Sequence, residues 1–513
     1  MALWRSTFIV SAMTMLSRVL GLVRDMVLLN VFGAGKDFDT FVVAFRIPNF
    51  FRRLFAEGAF SQAFIPVLTE YKTTKLHAEV QILISRVFGC LLMVMSLLTL
   101  ISMIIAPVIL YVYAPGFHND PAKFDLAVDM FRLTIPYLMF MSLTAFASSI
   151  LNSYGSFASP AFSPVLLNVA MIAGAWWLAP HMAQPIMALG WAVVAAGVLQ
   201  LAIQIPELWN KKLLIPPKVD FKHEGVDRIL KLMLPALFGV SVTQINLLLN
   251  TIWASFMQDG SVSWLYSAER MTELPLGLIG VAIGTVILPS LSARHAEQDQ
   301  AKFRSMIDWA ARIIVLVGIP ASIALFMLST PIIQALFQRG EFTLEDTHMT
   351  ALALQCMSAG VISFMLIKVF APGFYAQQDT KTPVRVGLMA VAANAILNVV
   401  FIGFFKLIDW HAEHMALALA SSGSALVNAG MLYFYLHKRN IYRFGAHWKK
   451  LALQYAIANI TMIVALWYGL SWYQGDISQW LRIAEVAGLC VIGVVAYVIG
   501  LLITGFRPRQ LKH

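Results

Sequence analysis

The chain has 513 residues, 59% of them hydrophobic and only 12% charged, with 37 Lys and Arg against 27 Asp and Glu. That charged fraction is about half of what a soluble chain carries, so the composition is that of a polytopic membrane protein. The apolar runs are continuous rather than alternating, which excludes a β-barrel. The formal charge of +10 reads as membrane topology and affinity for anionic lipid, not nucleic-acid binding, for which no motif is present. Neither a Walker A motif nor a nucleophile elbow nor H-E-x-x-H occurs, so neither ATP hydrolysis nor other enzymatic chemistry is expected. Cys90, Cys356 and Cys490 each stand alone in an apolar run and are expected to be core packing residues.

In chain order, apolar runs and breakers predict fourteen helices near 5–32, 38–68, 80–113, 128–153, 160–180, 185–207, 228–256, 262–292, 304–329, 347–376, 384–405, 412–437, 448–471 and 480–505. Each is about long enough to cross the ~30 Å hydrocarbon core. The loops are lopsided in charge. One side carries Arg5, Lys72 and Lys75, the basic run from Lys211 to Arg228, Arg294 to Arg304, Lys381, Lys438 to Lys450, and Arg507 to Lys512. The other holds little beyond Lys36, Lys123, Arg339 and Lys406. The basic side is therefore expected to be cytoplasmic, with both termini there and an even number of spans.

The first two helices concentrate charge where lipid would punish it. An ionisable side chain near the bilayer centre costs at least ~2.5–3.5 kcal/mol on insertion scales, so such residues face water, a ligand or one another. Arg18 and Asp25 are seven residues apart and share a helix face, with Arg24 about 100° away. On the second helix Asp39, Arg46 and Arg53 recur every seven residues, with Asn49 and Glu57 near the same stripe and Arg52 about 100° off it. Buried salt bridges would account for some of these. Five arginines against Asp25, Asp39 and Glu57 leave a positive surplus, and arginine is the side chain suited to bidentate phosphate capture. An anion-binding cavity is the favoured reading.

A long basic loop near 206–231 separates six spans from the next six, which suggests two lobes. Weak internal similarity supports a repeat: AEGAFSQAFIPVLTEY at 56–71 corresponds to GVAIGTVILPSLSARH at 280–295. The eighth helix then supplies the counterpart stripe of Ser263, Tyr266, Arg270 and Glu273. Arg270 either joins the cavity or is neutralised by Glu269 and Glu273. Lys368, in the tenth helix, either snorkels or lines the cavity. No metal site is expected.

SRVLGLVRD, PNFFRRLFAEGAFSQAFIPVL, GSVSWLYSAERMTELPLGLIGVAIGTVILPSLS and APGFYAQQDTKTPV together resemble the MurJ (MviN) family of lipid II flippases. That family lies within the multidrug/oligosaccharidyl-lipid/polysaccharide exporter superfamily. The resemblance runs from about Ser11 through the twelfth helix and more loosely through the last two. It implies an all-α membrane protein of 14 transmembrane helices: an N-lobe at 1–210, a cytoplasmic linker at 211–227, a C-lobe at 228–440, and two final helices at 441–513 forming a lipid groove. The two six-helix lobes would form a V around a central cationic cavity.

The same resemblance implies flipping of undecaprenyl-pyrophosphate disaccharide pentapeptide, lipid II, across the bacterial inner membrane by alternating access, for peptidoglycan synthesis. Arg18, Arg24, Arg52 and Arg270 match the family's cavity arginines, and Asp39 and Glu273 its acids. Asp25, Glu57 and Arg53 also fit cavity positions; Glu269 stands where relatives carry Asp. In the empty site Asp39, Glu57 or Glu273 would pair with the arginines. No cofactor is implied and no coupling ion is specified. Membrane lipids surround the chain, a monomer suffices, and enzymes of cell-wall synthesis are candidate docking partners. The rival readings are a flippase for another polyprenyl-pyrophosphate oligosaccharide and a cation-coupled exporter. The arginine surplus opposes export of organic cations.

Overall fold

The computed structural model describes the backbone of residues 2–54, 60–277, 281–475 and 477–507, and their side chains except at 2–11, 53, 54, 62, 234–244, 281, 282, 284–286 and 296. These residues are helical almost throughout and form two compact units, Met1–Ser263 and Trp264–His513.

The first unit holds α1 (Ala2–Phe32), α2 (Lys36–Leu54), α3 (Phe60–Thr74), α4 (His77–Ile104), α5 (Ala106–Tyr113), α6 (Pro121–Thr134), α7 (Pro136–Ser153), α8 (Ala158–Ala173), α9 (Met187–Ala202), α10 (Ile205–Asn210) and α11 (Glu224–Ala254). Local chemistry explains the breaks. Pro107, just past the start of α5, cannot donate back into α4, so the span expected at 80–113 is two helices meeting at Ile105. Pro136 divides α6 from α7 in the same way. Asp120 caps α6 by accepting from the Lys123 N–H at 3.2 Å. Phe60, Phe64, Phe146, Leu68, Leu83 and Ile150 form the core where α3, α4 and α7 meet.

The first unit runs through the basic 211–227 segment and ends at Ser263. That segment is no loose linker. Lys218 N–H donates to Ser85 O at 3.1 Å, Ser85 Oγ donates to Pro216 O at 2.7 Å, and Gln81 Nε2 donates to Lys212 O at 2.8 Å, which fastens it along α4. A Cβ on Gly89 would sit 2.3 Å from the Lys218 backbone, so only glycine allows this approach. After the segment, α11 packs on α2, α3 and α4 and remains part of the first unit.

From α12 (Ser261–Pro275), which begins at the boundary, the second unit continues through α13 (Val281–Ala296), α14 (Gln300–Met327), α15 (Ser329–Phe337), α16 (Leu344–Tyr375), α17 (Lys381–Leu407), α18 (His414–Lys438), α19 (His447–Leu470) and α20 (Gln479–Ile503). The centre of this unit is α16, packed against α13, α14, α15 and α18, with Ile307, Ile314, Met365, Phe370 and Leu436 fully enclosed. A Thr343–Asp346 capping box starts α16. The other Asp346 oxygen accepts from Trp264 Nε1 at 2.8 Å, which ties the start of α12 to that cap. Cys90 and Cys356 are buried as expected, whereas Cys490 is exposed on α20 among apolar side chains suited to lipid.

The QQDTKTPV turn between α16 and α17 is held by Asp379, which accepts from the Thr382 N–H and hydroxyl and from Arg439 Nη1 at 3.0, 2.6 and 2.6 Å. Burial pushes its carboxyl up, but Thr382 and Arg439 outweigh that and hold it at about 2. A depressed folded value means stability present above the ordinary carboxylate range and lost as pH falls toward 2. Arg439 is half exposed. Asp379→Asn is therefore expected to cost only about 1 kcal/mol at neutral pH, read as a lower thermal midpoint in detergent.

Ten helices among the described residues are long and apolar enough to cross a membrane. The chain is a multi-pass membrane protein. Helical segments also occupy the described parts of the expected spans at 5–32, 38–68, 228–256 and 262–292. These are the charged or proline-broken stretches, where hydropathy is weakest.

Candidate functional site

On α1 the surplus charge is ordered around Arg24, which is 5% exposed. Its Nε and Nη2 donate to Asp25 Oδ1 at 3.0 and 2.6 Å, and Nη1 donates to Asn168 Oδ1 on α8 at 3.0 Å. Asn168 in turn donates through Nδ2 to Ser17 O at 3.0 Å. The guanidinium fork spans a carboxylate and an amide from two helices, a geometry that an ammonium does not reproduce. Arg18, one turn and a half earlier on α1, is exposed and joins neither pair.

On α2 two members of the stripe expected from heptad spacing, Asp39 and Arg46, reach the turn after α11 and α11 itself. Arg46 is buried and donates from Nη1 to Thr251 Oγ1 at 2.7 Å. Arg52 is half-buried and donates from Nε to Asn49 Oδ1 at 2.9 Å. The side chain of Arg53 and all of Glu57 lie outside the described residues.

Asp39, 1% exposed, is the most heavily bonded of the acids. It accepts from Gly260 N–H at 2.8 Å, from Ser263 N–H at 2.9 Å, from the Ser263 hydroxyl, and from Lys123 Nζ at 3.4 Å. The expectation that Asp39 pairs with an arginine is thus corrected: its cation is Lys123, which α6 brings in. Lys123 is itself 4% exposed, pairs with Asp259 at 2.5 Å, and lies 4.2 Å over the Phe117 ring. A carboxylate this enclosed is tolerated only because each lone pair meets a donor.

Two glycines permit the arrangement. Gly260 has φ +94°, which aims its N–H at Asp39. Gly116 lies so close to the turn that a Cβ there would be 2.2 Å from Ser255 O. Gly116→Ala is expected to spring the turn from its seat, and should raise protease access at 255–263, or thiol-reagent access at a Ser261→Cys reporter, without unfolding the spans.

In the second unit, Arg270 Nη2 donates to Tyr266 OH at 3.0 Å, and its Nη1 pairs with Glu273 Oε2 at 3.2 Å. The guanidinium also stands 4.9 Å from the Tyr266 ring centre. The face shared by Tyr266, Arg270 and Glu273 is as the spacing predicts, but Ser263 turns away to Asp39. Glu269 is half-buried beside them, and Lys368 is exposed on α16.

Asn168, Thr251 and Lys123 escaped sequence reasoning. Asn168 and Thr251 are polar residues in apolar helices without charge to mark them. Lys123 read as an ordinary loop cation. A capping Asp120 followed by a lysine at the first turn of α6 was the one available signal.

Helices crossing a membrane many times, with arginines held among them by local acceptors, are features of a polytopic membrane transporter. A family model described as lipid II flippase MurJ matches residues 28–486. The chain is 44% identical to the probable lipid II flippase MurJ of Vibrio cholerae, over 99% of this chain and 98% of the relative. It is 40% identical to the lipid II flippase MurJ of Burkholderia cenocepacia, over 100% and 99%. A solved structure of lipid II flippase MurJ in an inward closed conformation superposes with a TM-score of 0.80 at 26% identity, covering 96% of this chain and 98% of that one. An inward-facing multidrug resistance transporter of the MATE family, at 13% identity and TM-score 0.67 over 84% and 97%, shares the fold alone. The chain belongs to the MurJ family of lipid II flippases, a family of transporters rather than enzymes.

Proposed function

We propose that this chain moves lipid II, the undecaprenyl-pyrophosphate disaccharide pentapeptide, from the leaflet on the side of its basic loops to the opposite leaflet. Family membership over nearly the whole chain carries the reading, and the charge chemistry supports it. A pyrophosphate cannot cross hydrocarbon bare, because desolvating each charge costs several kcal/mol or more. Arginines replace its hydration shell while the polyprenyl tail stays in lipid. Three of the candidate arginines are held in reserve by local acceptors: Asp25 and Asn168 for Arg24, Asn49 for Arg52, Tyr266 and Glu273 for Arg270. A doubly charged pyrophosphate competes with each of these. Arg18, Arg46, Arg53 and Glu57 belong to the same set, with Glu269 and Lys368 as further candidates.

In this reading all fourteen helical segments span the inner membrane, two sets of six followed by two, with both termini on the basic, cytoplasmic side. The protein acts as a monomer and uses no organic cofactor, and any coupling ion is drawn from the surrounding solution. The seat of the 255–263 turn on Asp39 and Lys123 releases during alternating access.

The test is depletion of the protein in its own cell, followed by a probe of which leaflet holds lipid II. Accumulation on the cytoplasmic leaflet, reversed by the wild-type chain but not by Arg52→Ala at equal expression, is the expected result. Unchanged lipid II with loss of another surface glycan would reassign the substrate.

A further inference from the structure

At the basic end of the second unit, the first turns of α14, the last turn of α18 and the 439–447 connection enclose a cleft of about 540 Å³. Arg304, His437, Arg443 and His447 line it, around the carboxylate of Asp308. That carboxylate is already fully engaged. Oδ1 accepts from Tyr442 OH at 2.9 Å and from Trp448 Nε1 at 2.7 Å; Oδ2 meets His447 Nε2 and Arg312 Nε, both at 3.0 Å. Its charge is balanced by Arg312, and its hydrogen bonds fix the connection in place.

The lining arginines are therefore surplus. Arg304 donates to the Asn440 carbonyl, and Arg443 makes no ion pair or side-chain hydrogen bond among the described residues. Beside the cleft, aromatic contacts hold the connection: Phe444 stacks on Tyr433 with ring centres 4.6 Å apart and meets Trp448 edge-on at 4.8 Å. Phe444 is nevertheless 40% exposed, an amphipathic rim at the end of two membrane-spanning helices, where aromatic side chains meet lipid headgroups.

We propose that this cleft is a phosphate-binding site, separate from the arginines of α1, α2 and α12, which takes the phosphate of an anionic membrane phospholipid or a free phosphate. Two arginines presenting forked donors across a cleft suit a tetrahedral oxyanion better than a diffuse cloud of counterions. The exposed aromatic rim favours a lipid as the source.

Full-length protein in detergent micelles, titrated with dioleoyl phosphatidylglycerol, dioleoyl phosphatidylcholine or inorganic phosphate and followed by native mass spectrometry, tests this. Wild type is expected to retain one phosphatidylglycerol in preference to phosphatidylcholine. Arg443→Gln and the Arg304→Gln/Arg443→Gln pair should weaken that retention about tenfold or more. Lys449→Gln/Lys450→Gln, which removes nearby charge outside the cleft, should leave it within about twofold. Displacement by equimolar inorganic phosphate would identify the free anion as the ligand; resistance to it would identify the lipid. Since Arg443 holds no other group, its variant should keep the wild-type thermal transition. Equal retention of both lipids, undiminished retention in the arginine variants, or equal loss in the lysine variant would overturn the proposal.

Discussion

Arg24→Ala is expected to lower lipid II flipping at least about tenfold in a leaflet assay at matched expression, the largest effect of any single arginine on α1. The reason is double. The substitution removes a guanidinium available to pyrophosphate, and it takes a cation from the buried Asp25 carboxylate and a donor from Asn168 Oδ1. Removing one partner of a buried ion pair is strongly destabilising, up to about 3–5 kcal/mol, so lower expression is also expected. The Arg24→Ala/Asp25→Asn double variant separates these effects. With the Asp25 charge also gone, expression should recover while flipping does not. Recovery of both would show that Arg24 serves the fold and not the substrate. Arg24→Lys should fall between, because one ammonium cannot span an acceptor on α1 and another on α8.

Asp39→Asn should have the second largest effect, on conformation rather than on substrate affinity. The carboxylate accepts from two backbone N–H groups, a hydroxyl and Lys123. An amide in its place loses the charge-assisted part of these bonds and points an N–H at other donors. A cost of about 3 kcal/mol, or roughly a hundredfold in how often the 255–263 turn leaves its seat, follows. Ser261 is fully buried there, so a Ser261→Cys reporter, in a background lacking Cys90, Cys356 and Cys490, should react slowly with a membrane-impermeant thiol reagent. Asp39→Asn should speed that reaction. Adding Lys123→Met should cost less than the sum of the two single changes, since both act on one network. Additive costs would refute the network.

Placed side by side, these two sites divide the labour. Arg24, Arg52 and Arg270 sit on local acceptors that a pyrophosphate can replace. Asp39 accepts from backbone N–H groups and from Lys123, donors that an anionic ligand does not supply. The first set suits binding, the second the change of conformation.

The architecture class was open to reading because its cause is local: continuous apolar runs cross a bilayer, and the asymmetry of Lys and Arg along the loops is a property of the chain alone. The charged positions were open for the same reason, since an arginine in an apolar helix stands out wherever it points. What spacing could not tell was each charge's partner. Heptad arithmetic placed Asp39 on a stripe with arginines, but its ligands come from residues more than 200 positions away in sequence and from Lys123, which only the packing of α6 on α2 brings near. The fastening of the basic 211–227 stretch along α4, and the packing of α11 that follows it, were likewise invisible to local pattern. Sequence alone determined that this is a many-helix membrane protein with positive charge inside it, because hydrophobicity and charge act residue by residue. Which acid holds which cation, and where one unit ends, was decided only by tertiary structure, because hydrogen bonds and close glycine contacts depend on distances the chain does not carry until it folds.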